Sequence, residues 1–575
     1  MMLELKRKAV ALVATALSFL KHAVPWTTGS DSFPPLMDAG LEDLVSGLEA
    51  GRFTSVDLVN AYIARINEVN PTLRMVTQIN PDALSIAAKL DAARAAGEKR
   101  GPLHGIPILI KDNIATADNM ENTAGSYALL GARVPEDSTV AAKLRKAGAI
   151  ILGKTNMSQW ANFRSVKSSN GWSSIAGQTE GAYYPGQDPS GSSSGSAVVS
   201  SLGLAAAALG TETDGSIIAP ANCNNVVGIK PTVGLTSRYL VVPISEHQDT
   251  VGSMARSVKD AAYVLSAIAG PDPKDNYTSA IPFDTIPDYV AACDLNALSG
   301  KRIGVPRDLI DSSSPHFNKA LLSAFNTALS ILRAANATII DPVPLPGYAA
   351  LEESKYELTV LQADFVSSLP RYLSLLSHNP HRLATLSDLR EWTRAHGALE
   401  AYPQRDTAIW DEALALDPDG LGADPNAKAP CFWANYTAAL HLAGPLGLTG
   451  ALANHSLDAL VVPTEWASTL PAVLGAPVVT VPMGSWPKGT PVVRDDGLGH
   501  MVEIAPGVPF GISFLGAKWS EEALIGMAYA FEQRTRAREK VRPYVWPRTE
   551  LRDVVSARRA GEEGLGERER EDVKV

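Results

Sequence analysis

The sequence predicts an α/β protein whose sheet is mostly buried between helices. Apolar residues at helical spacing alternate along the chain with short β-branched runs, and those runs are apolar at nearly every position, as strands covered on both faces are. Composition agrees. Hydrophobic residues make up 45% and charged residues 19%, which supplies a large core and too little charge for a disordered chain. A length of 575 residues accommodates several average domains or one large α/β enzyme body.

Taken in order, residues 41–70 carry apolar positions at helical spacing and predict two helices, with Thr54 and Ser55 placed to cap the second. DALSIAAKLDAARAAGEKRG (82–101) predicts a third helix, ended by glycine. IPILI (106–110) is short and β-branched enough for a buried strand, and Lys111 stands at its end. A helix over 138–148 and a strand over 149–152 repeat the pattern; a serine-rich region and a small-residue helix over 196–209 follow. Residues 275–440, rich in helical patterns and proline loops, read as an elaboration near the site. ALVVP (459–463) and PVVTVP (477–482) return the chain to the sheet. The folded body spans 31–545. Beyond it, SARRAGEEGLGERERED predicts a charged, disordered tail over 546–575.

Several function classes drop out on composition. The net charge of −10 and the lack of a basic block exclude nucleic acid as a partner. Cys223, Cys293 and Cys431 are odd in number and far apart, so they form neither a disulfide framework nor a CxxC site. The ten histidines show no HExxH or paired ligand spacing, so no metal and no cofactor are expected. Lys6, Arg7 and Lys8 precede an apolar run at 9–20 that is too short to span a bilayer. Residues 1–30 therefore read as a signal peptide or leader, with secretion expected if it is cleaved and a cytoplasmic enzyme otherwise. Sequons at Asn276, Asn336, Asn435 and Asn454 are compatible with secretion.

Two familiar patterns fail on context. GAIILGKT (148–155) matches a phosphate loop letter for letter, but its inner residues read as a strand and no helix starts at Lys154. Gly191 to Gly195 fits the GxSxG elbow and would nominate Ser193, yet AYYPGQDPS before it is a loop where the elbow needs a strand.

A lysine at a buried strand end, a serine-rich loop and the turn Thr213-Asp214-Gly215-Ser216 remain. The motifs GIPILIKDN (105–113), SGSSSGSA (190–197), LGTETDGSI (209–217) and GIKPTVGL (228–235) together resemble the amidase signature family of serine hydrolases. GKTNMSQWAN (153–162), DTVGSMARSV (249–258) and GVPFGISFLG (507–516) extend the resemblance over residues from about 40 to about 540. ETDGS and PISEHQDT (243–250) are most similar to bacterial peptide amidases.

The resemblance implies an amidase-signature-type fold, a large mixed central β-sheet with helices on both faces. It implies Ser216 as nucleophile, Ser192 as a bridging serine on a cis peptide, and Lys111 as base. The backbone of Thr213, Asp214, Gly215 and Ser216 would form the oxyanion hole. A buried lysine can serve because burial disfavours its ammonium form. Asp214 and Glu212 depart from the family's usual glycine and aspartate, and Ile217-Ile218-Ala219-Pro220 lacks the arginine that many members carry after the nucleophile. The expected activity is hydrolysis of a primary amide, such as a peptide C-terminal amide, with a small-molecule or peptide amide as partner and no stable membrane span. Two alternatives stand beside it: an amidotransferase subunit using glutamine, and a catalytically degenerate binding protein.

Overall fold

Eleven strands form one mixed sheet in the computed structural model, which describes residues 33–310, 319–416 and 431–572. In chain order they are β1 (Val76–Ile79), β2 (Pro107–Lys111), β3 (Ile150–Thr155), β4 (Ala207–Glu212), β5 (Val227–Lys230), β6 (Thr250–Ala255), β7 (Arg302–Gly304), β8 (Thr338–Ile340), β9 (Ala459–Pro463), β10 (Val478–Ser485) and β11 (Pro509–Leu515). Across the sheet they lie in the order β1-β3-β2-β4-β6-β5-β10-β11-β9-β7-β8. Strands β3, β2 and β4 are parallel, as are β9, β7 and β8. Antiparallel pairs from β4 through β9 join the two blocks.

Both faces of this sheet are covered. Along β9, Ala459 and Val461 join one apolar cluster while Leu460 and Val462 join another, the alternation that a period of two imposes on a strand buried on both sides. The helices used below are α1 (Ser55–Leu73), α2 (Ser194–Ser201), α3 (Ile218–Cys223), α4 (Val258–Ile268), α5 (Tyr356–Ser374), α6 (Phe432–Ala443), α7 (Glu521–Thr535) and α8 (Leu551–Asp572). Val258, Leu265, Leu524 and Phe531 of α4 and α7 pack on the first face; Ala439 and Ala443 of α6 pack on the second. Among the described residues no helix is long and apolar enough to cross a membrane. The leader expected at 1–30 lies outside the described residues.

Local chemistry agrees with the sequence in several places. Thr54 caps α1 by accepting from Asp57 N at 3.0 Å. The phosphate-loop lookalike is a strand, because GKT completes β3 and Lys154 is buried, donating to Ile114 O and Asn122 Oδ1.

Two expectations are corrected. The predicted helix over 196–209 is α2 followed by β4, and the break falls at Gly203, whose φ of +60° and close approach to Leu36 O and Met37 Cα admit only glycine. Alanine-rich sequence fits a helix or a crowded central strand equally, so periodicity alone does not separate the two. Within the tail, residues Leu551–Asp572 form a helix rather than disordered chain. Helix α8 places Leu551 and Val555, four residues apart on one face, in the main core. Partners on α1 hold it: Arg558 of α8 pairs with Asp57 at 2.9 Å, and Glu550, just before α8, pairs with buried Arg65 at 3.1 Å. Leu551→Ala should therefore cost about 2–5 kcal/mol of stability, read as a lower urea midpoint.

Candidate active site

Neighbouring parallel strands set the first contact. Ile110 of β2 pairs with Leu209 of β4, so Lys111 and Thr211 emerge side by side where both strands end. Lys111 Nζ lies 2.9 Å from Thr211 Oγ1 and 3.2 Å from Thr211 O. The serine loop crosses above, through a cis peptide between Gly191 and Ser192. There Lys111 Nζ meets Ser192 Oγ at 2.7 Å and Ser193 Oγ at 3.0 Å, and Ser192 Oγ lies 3.1 Å from Ser216 Oγ. Ser193 N donates to Ser216 O at 3.1 Å, tying the loop to the turn after β4. Lys111 and Ser192 are fully buried and Ser216 is 8% exposed, so the chain of polar atoms lies within the interior, with Ser216 the least buried of the three residues.

Burial sets the electrostatics. It pulls the Lys111 ammonium down to about 7, against the opposing pull of Asp249 and Glu212. At neutral pH a substantial fraction of Lys111 is thus unprotonated and carries a free lone pair. Asp249 is itself pushed up to about 6 by burial, resisted by hydrogen bonds from Thr213 Oγ1 at 2.6 Å and from the N–H groups of Ile244 and Ser245.

The turn is held from both ends. Glu212 Oε2 accepts the N–H groups of Ile217 at 2.7 Å and Ile218 at 3.0 Å, which fixes the approach to α3. Gly215 adopts φ +76°. On the outer side, Gln248 Nε2 bridges Thr213 O at 3.4 Å and Glu357 Oε1 at 2.7 Å. Burial, with Asp214 nearby, raises the Glu357 carboxyl well above its ordinary range.

All three catalytic candidates, Lys111, Ser192 and Ser216, come together, and Thr213, Asp214, Gly215 and Ser216 form the turn around the last of them. Sequence reasoning missed Ser193, Thr211, Asp249 and Glu357. Ser193, nominated by the elbow pattern and set aside with it, contacts Lys111 directly. Glu357 has no signal in the sequence, since α5 meets the turn only through the fold. The same helix supplies Asp364, whose Oδ2 lies 2.7 Å from His247 Nδ1. With Glu246 these two bring potential metal-ligand atoms within 4.8 Å of one another, although Glu246 also pairs with Arg371 at 3.4 Å. The trio clamps the loop 244–249 onto α5.

Residues 57–420 match the family described as Amidase. The chain belongs to the amidase family. A relative from Arthroderma benhamiae whose name carries the word amidase is 52% identical over 544 residues, covering 91% of this amidase and 90% of the relative. The crystal structure of the native peptide amidase from Stenotrophomonas maltophilia superposes with a TM-score of 0.77 at 41% identity, covering 90% of this amidase and all of that chain. More distant is a glutamyl-tRNA(Gln) amidotransferase subunit from Thermosynechococcus vestitus, 33% identical, with 84% of this amidase and 95% of that chain covered. The protein is an amide-hydrolysing enzyme with the 11-stranded mixed sheet of amidase signature structures.

In this amidase Gly215→Ala tests the turn. A side chain at φ +76° costs about 1–2 kcal/mol of backbone strain, and a turn that relaxes to escape it moves Ser216. A loss of roughly ten- to a hundredfold in kcat, with KM little changed, is expected in steady-state assays.

Proposed function

We propose that this amidase releases ammonia from primary amides, including the C-terminal amides of peptides, through an acyl-enzyme on Ser216. The continuous path from Lys111 Nζ through Ser192 Oγ to Ser216 Oγ, at 2.7 and 3.1 Å, carries the proposal. Neutral Lys111 accepts the proton of Ser192 while Ser192 accepts that of Ser216, and the Ser216 oxygen adds to the amide carbonyl. Backbone N–H groups of residues 213–216 receive the oxyanion, each such donor being worth roughly 3 kcal/mol at the transition state. The proton then returns through Ser192 to the amide nitrogen, the C–N bond breaks and ammonia leaves. Water, deprotonated along the same path, cleaves the ester and frees the carboxylate.

Amidated peptides, free primary amides and glutamine, assayed for ammonia release against Ser216→Ala as blank, test the reading. Release from amidated peptides that disappears in the variant is expected. The likeness to amidotransferase subunits favours a second reading, glutamine as donor to a partner chain; release from glutamine alone would select it. The apolar sequence after Ser216 supports a further expectation: malonamate-type acids turn over more slowly than apolar amides. Faster turnover of the acids would overturn it.

A further inference from the structure

The turn after β4 presents three consecutive backbone donors. Glu212 Oε2 takes the N–H groups of Ile217 and Ile218, but those of Asp214, Gly215 and Ser216 have no acceptor among the described residues. The peptide bonds of this turn are trans, so each C=O and the N–H that follows it point in opposite directions. Whatever holds a carbonyl therefore aims the next N–H. Ala219 N holds Gly215 O at 2.8 Å and thereby aims the Ser216 N–H. Thr213 O, which shares a peptide plane with the Asp214 N–H, is held by a side chain instead: Gln248 Nε2 at 3.4 Å.

Gln248 is buried, 2% exposed, and both protons of its amide are committed. One goes to Thr213 O and the other to Glu357 Oε1 at 2.7 Å, so the amide cannot be turned over: its oxygen has no proton to give a carbonyl. The bond to Glu357 is the shorter of the two and fixes where the amide stands. The neighbours of Gln248 brace the same place. Asp249 accepts from Thr213 Oγ1 at 2.6 Å, and His247 Nδ1 meets Asp364 Oδ2 at 2.7 Å. Glu357 and Asp364 lie seven residues, two turns, apart on α5, which backs Thr213 through residues 247–249.

We infer that Gln248, oriented by Glu357, is a positioning residue for amide hydrolysis: through Thr213 O it keeps the Asp214 N–H facing the oxyanion of the tetrahedral intermediate. The inference rests on the proposed acyl-enzyme at Ser216, with the oxyanion received by residues 213–216. Both side chains act through the turn. The oxyanion forms only as Ser216 adds to the carbonyl, so losing either side chain weakens the transition state and leaves substrate binding nearly as it was.

Gln248→Leu keeps the bulk of the side chain and removes both bonds. It should lower kcat on a C-terminally amidated peptide about ten- to a hundredfold and leave KM within about twofold. A peptide aldehyde adds Ser216 Oγ at its carbonyl carbon and so creates the oxyanion; its affinity should fall by the same factor as kcat. The matching peptide alcohol forms no adduct and should bind wild type and variant equally. Glu357→Leu should behave like Gln248→Leu. Glu357→Gln should stay within about threefold of wild type, because burial and nearby Asp214 favour the neutral Glu357 carboxyl, which glutamine copies in charge and shape. Should Gln248→Leu fail to fold, as its melting curve would show, the two Glu357 variants carry the test. Unchanged kcat and aldehyde affinity, equal weakening of aldehyde and alcohol, or equal losses in Glu357→Gln and Glu357→Leu overturn the inference and leave hydrolysis at Ser216 standing. An aldehyde held no more tightly by the wild type than by Ser216→Ala overturns that reading, and the inference with it.

Discussion

Ser216→Ala should lower kcat on the order of 10⁴-fold or more while leaving the thermal melt close to that of the wild type. Ser216 is the least buried residue of the linked path, and its Oγ meets Ser192 Oγ at 3.1 Å. Alanine removes that hydroxyl and little else: the backbone contacts of the turn, Ser193 N to Ser216 O and the Glu212 bonds to Ile217 and Ile218, do not use it. Burst experiments on an activated ester sharpen the outcome, since a stoichiometric burst in the wild type and none in the variant marks an acyl-enzyme at this position. Retention of even a tenth of the activity would move the nucleophile elsewhere.

Lys111→Met should cost on the order of 10²–10⁴ in kcat/KM and erase the pH dependence that the lysine imposes. In the wild type the base works only when unprotonated, so kcat/KM is expected to rise with pH and level off above about 7. The variant should be flat through that range. Stability should depend on pH through the same lysine. Lys111 titrates near 7 when folded and near the ordinary lysine value of 10.5 when unfolded, so between those limits the unfolded chain binds more protons. Its contribution to stability therefore rises with pH across that window and is least favourable below it. Replacing the lysine removes this dependence, and the melting temperature of Lys111→Met relative to wild type should be higher at about pH 6 than at about pH 9. A difference independent of pH would mean that the folded lysine titrates normally.

The meeting of Lys111, Ser192 and Ser216 was legible because they lie in motifs whose order and spacing are specific, and β2 with Lys111 at its end could be read from five apolar letters. The boundary near 203 was not, because Ala207, Ala208 and Leu209 satisfy either secondary structure until Gly203 meets Leu36. The tail misled for a different reason. Its composition is that of solvated chain, and only the placement of Asp57, Glu68 and Arg65 along α1 gives Arg558, Thr549 and Glu550 their partners. Residues that surround the turn from α5, Glu357 and Asp364, are more than a hundred positions from the loop they hold. No local pattern encodes such a meeting.

The strand order bears on how the polypeptide emerges from the ribosome. Strands β1 to β6 lie together as β1-β3-β2-β4-β6-β5, and β5 then borders β10, made more than two hundred residues later. Lys111, Ser192 and Ser216 are thus all synthesised while β5 is still an open edge awaiting a partner. A nascent chain halted before residue 478 holds Lys111, Ser192 and Ser216 on a half-sheet with unpaired N–H and C=O groups along that border, a template for pairing with another copy. In this enzyme that border is closed only when β10 pairs with β5.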